Sequence, residues 1–159
     1  MIAGLIAAAP HVAHQALFGA IAAVGFGVLF NIGPGNLVRC ALLGAVALSV
    51  RTMGQNAGWS LEAATFVAAL TTACAVYLGG PQRGQAPNAL SIAGCIAMVP
   101  GAFFINALLG FLSLTSLPPE EASLTIATSL TALLRVIFTL GAMGAGLTIP
   151  AQLARHRGF

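Results

Sequence analysis

The stretch "SIAGCIAMVPGAFFINALLGFL", Ser91–Leu112, carries no charge and is long enough to cross a bilayer, which takes about 20 residues of helix, yet Pro100-Gly101 interrupts it near its middle. Proline has no amide hydrogen, and its ring crowds the carbonyl four residues back, so the helix is expected to kink or split there. In hydrocarbon, broken backbone survives only where protein or water satisfies it. One reading is a simple packing kink. The other is the break that transporters use, in which the amides opening the second half-helix, here from about Ala102, hold an anion near the midplane, with Asn106 one turn further on.

The rest of the chain places that break in a membrane. Hydrophobic residues make up 58% and charged residues 6% of the 159, against about 25% charged in an ordinary soluble domain. The apolar residues fall in runs separated by short stretches that hold most of the Gly, Pro and charge. Five spans are expected, at about 13–32, 36–53, 61–78, 88–114 and 121–149, so the fold class is an all-α polytopic membrane protein forming a single transmembrane domain over 1–159. A transmembrane β-barrel requires apolar/polar alternation in segments of about ten residues, and the sequence has none. The opening "MIAGLIAAAPHVAH" lacks a basic region ahead of its short apolar stretch and reads as a lead-in to the first helix, not as a signal peptide.

Charge sets an expected orientation. Arg83 follows the third span, while Arg155 and Arg157 follow the fifth; an odd number of spans puts these two segments on one side, which the positive-inside rule makes cytoplasmic. Glu120 and Glu121 then lie outside, as does the N-terminus. The net charge of +3 comes from scattered arginines that form no basic stripe, so nucleic acid is not expected as a partner.

Catalytic chemistry finds little support. Cys40, Cys74 and Cys95 lie inside spans without metal-ligand spacing and read as small buried hydrophobes. His11, His14 and His156 lie at the chain ends, and the carboxylates Glu62, Glu120 and Glu121 offer no acid/base pair. With no nucleotide loop, nucleophile elbow or metal motif, neither an enzyme nor a cofactor is expected.

Polar groups at membrane depth carry the functional signal. Arg39 and Arg51 bracket "CALLGAVALSV" and stand only about 18 Å apart along a helix, well short of a hydrocarbon core about 30 Å thick. At least one must snorkel, find a partner or line a wet cavity; Arg39 suits a cytoplasmic-side anchor, and Arg51 a contact with Glu62 across the next connection. Arg135 falls near mid-bilayer in the fifth span, with Thr128, Thr131, Thr139 and Ala142 on its face, which is expected to look into the bundle. Water, backbone carbonyls, a partner subunit or a substrate carboxylate are the groups that could satisfy it. "GAMGAG", Gly141–Gly146, and the glycines from Gly19 to Gly27 let helix backbones approach closely.

Five motifs, in order and with matching spacing, then carry a resemblance. "AAVGFGVLFN" (22–31), "CALLGAVALSVR" (40–51), "GWSLEAATFVAAL" (58–70), "IAMVPG" (96–101) and "GLTIP" (146–150) resemble the threonine/serine exporter family, specifically its five-helix C-terminal half, which also occurs as a separate small subunit. By motif position Asn31, Arg51, Gly58, Glu62, Thr65, Pro100 and Gly101 match family-typical residues. The chain departs from the pattern at Ala97, where relatives commonly carry proline, and at Arg135, where a small or apolar residue is expected.

The resemblance implies a bacterial inner-membrane exporter of small amino or organic acids, with dicarboxylates such as succinate linked to the split form, and a larger partner subunit. Candidate substrate-binding residues are Arg51, Glu62, Thr65, Pro100, Gly101, Asn106 and Arg135, with Asn31 and Gly58 as further motif positions. The competing class is a non-transporting membrane subunit that stabilises a partner holding the pathway.

Overall fold

A computed structural model describes residues 2–79 and 87–156. Among them the chain forms six α-helices: α1 (Ile2–Leu29), α2 (Leu37–Asn56), α3 (Leu61–Leu78), α4 (Pro87–Cys95), α5 (Gly101–Ser113) and α6 (Pro119–His156). Short 3-10 turns occupy Pro34–Asn36, Ile96–Met98 and Leu114–Ser116. Four helical segments, 9–29, 34–56, 61–78 and 120–154, are long and apolar enough to cross a membrane, and the pair 87–98 and 101–116, bent by 57° at its break, passes the same test when taken together, as one broken span or a re-entrant loop.

At the two ends of the chain the helices run well past the expected spans. The first helix starts at Ile2, not near Ala13, because "IAGLIAAA" is rich in strong helix formers. The last helix passes through Pro150 to His156. One missing ladder bond is tolerated in membrane helices, where neighbouring groups resatisfy the backbone. Arg83 and Arg157, on which the expected orientation partly rests, lie outside the described residues.

The chain divides into two compact units, residues 1–98 with 142–159, and residues 99–141. In the first, α2 is the central element and packs most extensively on α1, then on α3 and α4. Small residues make this possible. Gly19 of α1 and Gly44 of α2 meet backbone to backbone, and a Cβ on either would collide with the other's carbonyl oxygen. One apolar cluster joins Ala23, Ile32, Cys40, Leu43, Val76, Leu90 and Ala93; a second joins Ala47, Ala68, Ala69, Cys95 and Met98, flanked by Leu48, Val50, Met143 and Leu147. Tyr77 donates its hydroxyl to Asn88 Oδ1 at 2.6 Å and ties the end of α3 to the start of α4.

The second unit consists of α5 and the first part of α6. They pack closely where Gly110 faces Ser129. Phe103 meets Arg135 further along, so the two run antiparallel.

Candidate functional site

Several motif residues are explained by how helices begin and end. Asn31 has φ 55°, in the left-handed region; its N–H bonds the carbonyl of Val28 at 3.0 Å and that of Ile32 bonds Gly27 at 2.9 Å, which closes the end of α1. Gly58, with φ 86°, does the same for α2, as its N–H reaches Gln55 and that of Trp59 reaches Gly54, both at 3.0 Å. Ser60 then caps α3 by accepting from the Ala63 amide at 3.2 Å. Glu62 lies in the first turn of α3, where the positive end of the helix dipole favours a carboxylate. Thr65 is fully buried and donates its hydroxyl to the Leu61 carbonyl at 2.7 Å.

Arg51 finds a partner other than Glu62. Its Nη1 donates to the carbonyl of Met98 at 2.8 Å, where the 3-10 turn after α4 ends. Pro100 is the N-cap of α5, with φ −80° and ψ 59°, and Gly101 opens the helix with free space where a Cβ would lie. The break therefore falls at Val99-Pro100. Arg39, at the start of α2, lines a smaller cleft of about 160 Å³ with Leu42, Leu43, Ala75, Val76 and Gly79.

Asn106 and Arg135 come together in the second unit. With Phe103, Ala127, Thr128, Thr131 and Ala132 they line an open groove of about 450 Å³. The Arg135 guanidinium lies over the Phe103 ring, 5.4 Å from its centroid, and forms no ion pair among the described residues. Thr128 donates to the carbonyls of Leu124 and Thr125, and Thr131 to that of Ala127. Each hydroxyl proton is thus spent on its own helix while the oxygen keeps lone pairs facing outward. Arg135 is exposed along the groove, while Thr139, one turn on, is buried with an unpartnered hydroxyl.

Arg51, Glu62 and Thr65 do not line this groove. Phe103 was missed in the sequence, although its place three residues before Asn106, on the same helical face, is a usable signal. The Met98 carbonyl could not be anticipated, because a backbone acceptor leaves no trace in residue type. Cys40 and Cys95 are buried free thiols and Cys74 is half-buried, as small hydrophobes would be. No group of His, Cys, Asp and Glu among the described residues could hold a metal ion.

Membrane-length apolar helices around a span broken at a proline define a multi-pass helical membrane protein. The chain belongs to the threonine/serine exporter family, ThrE, whose family model matches residues 15–153, nearly its whole length. It is therefore a membrane transporter of the exporter type. No solved structure matches it.

Proposed function

We propose that this chain is the membrane subunit of a secondary transporter that exports small amino or organic acids, threonine and serine or a dicarboxylate such as succinate, together with a larger partner subunit in the bacterial inner membrane. The observation that carries this reading is the groove holding Arg135 and Asn106, with Arg135 the sole charged residue between Ala122 and Ala154. A guanidinium near mid-span costs about 2.5–3.5 kcal/mol on insertion scales, a cost that a carboxylate would offset. The planar fork of Arg135 suits bidentate pairing with that carboxylate, and the Asn106 amide adds a donor within the same groove. Thr128 and Thr131 offer oxygen acceptors for an ammonium or hydroxyl group on the other end of the substrate.

The orientation proposed with this function has the C-terminus cytoplasmic, since the arginines favour that side. Transport of threonine and of succinate in cells making this chain alone, the partner alone, or both provides the test. The expected result is export only when both are present. Undiminished export from the partner alone, with this chain raising only its abundance, would instead make the chain a stabilising subunit.

A further inference from the structure

We propose that Arg51 is a positioning residue that caps the broken helix at Met98, and that it does not contact the substrate. This goes beyond the groove of the second unit and takes Arg51 out of the set of candidate ligands. The backbone around the break sets the requirement. After α4 the chain tightens into the 3-10 turn Ile96–Met98, then leaves helical geometry at Val99 and Pro100. The N–H of Gly101 turns back to the Val99 carbonyl at 2.8 Å, and the first regular bond of α5 runs from the Phe104 N–H to the Pro100 carbonyl at 3.2 Å. In an unbroken helix the Met98 carbonyl would accept from the amide of Ala102. Here it accepts from Arg51 Nη1 at 2.8 Å.

Water is a poor substitute at that position, because Met98 has 0% exposure and a buried carbonyl left unpaired is costly. The register of α2 delivers the arginine. Ala47 packs in the same cluster as Met98 and Cys95, and Arg51 lies one turn further along the same face. The arrangement is reciprocal: the break gives the arginine an acceptor at membrane depth, and the arginine satisfies the carbonyl that the break exposes.

The test uses the full chain in membrane vesicles, with amide exchange of the 96–104 segment and maleimide labelling of Cys95 as readouts. Cys95 is 1% exposed and shares a cluster with Met98, so its thiol reports on this contact. Arg51→Met is expected to raise both rates by about tenfold, while exchange across Leu61–Leu78 stays unchanged. Arg51→Lys, which keeps a donor, should return both rates most of the way. Where Arg51→Met inserts poorly, the comparison is made in a Pro100→Ala background, in which the helix can continue and the Ala102 amide can replace the arginine; the effect of losing Arg51 should then shrink by more than half. Unchanged exchange and labelling in Arg51→Met overturns the proposal. So does a loss of protection that spreads equally through α3, is not repaired by lysine, or persists undiminished with Pro100→Ala.

Discussion

Asn31 and Gly58 do structural work that their backbone angles make explicit. Each is the left-handed residue that ends a helix, so replacing Gly58 with alanine should cost about 1–2 kcal/mol, seen as a lowered melting temperature in detergent, with export retained at equal abundance. Asn31→Gly should be tolerated, whereas Asn31→Val should destabilise, since a β-branched residue disfavours the same angles. Arg135 tests the groove. Arg135→Lys should keep part of the export, and Arg135→Gln should raise the half-saturating concentration by about tenfold to a hundredfold, the worth of a charge-assisted hydrogen bond. Full export by Arg135→Gln at equal membrane abundance would remove the carboxylate site. Arg51 and Glu62, which lack a mutual contact, should give additive effects in a double-mutant cycle measured by thermal unfolding.

Helix ends and crossings were unequally legible. The α3 span was expected at 61–78, which matches Leu61–Leu78, because a serine cap precedes its apolar run and a glycine follows it. The broken fourth span was equally readable, since Pro100 removes a donor in any tertiary context. The ends of α1 and α6 were not, as strong helix formers extended one and Pro150 failed to stop the other. Glycine spacing announced close packing without saying which glycines take part. Gly19, Gly27 and Gly146 sit at tight crossings, while Gly25, Gly141 and Gly144 face open space. Gly44→Val should push α1 from α2 and cost about 1–3 kcal/mol, whereas Gly144→Ala should be nearly neutral; thermal unfolding separates the two.

At the scale of the whole molecule, the proposed function rests on the five spans expected from the sequence, an odd number that would put the two ends of the helical body on opposite faces of the membrane. A second set of helices from a partner would complete the pseudo-symmetric arrangement common in secondary transporters. Purified chain in liposomes is therefore expected to give no export of threonine or succinate, and co-reconstitution with the partner to restore it. Export by the chain alone as a monomer would overturn the partner requirement.

Composition, the lengths of the apolar runs and one proline were sufficient to specify a helical membrane protein with a broken fourth span. These are local or summed properties that depend on transfer into hydrocarbon and on the missing amide of Pro100. Which polar groups meet was settled only by packing. The sequence pointed Arg51 toward Glu62, the nearest carboxylate across a short connection, but the docking of α4 on α2 brings a backbone carbonyl to its guanidinium first. Asn106 and Arg135, far apart in the chain, line one groove because Gly110 lets α5 lie close against α6 beside Ser129, a contact between distant residues that no local pattern encodes.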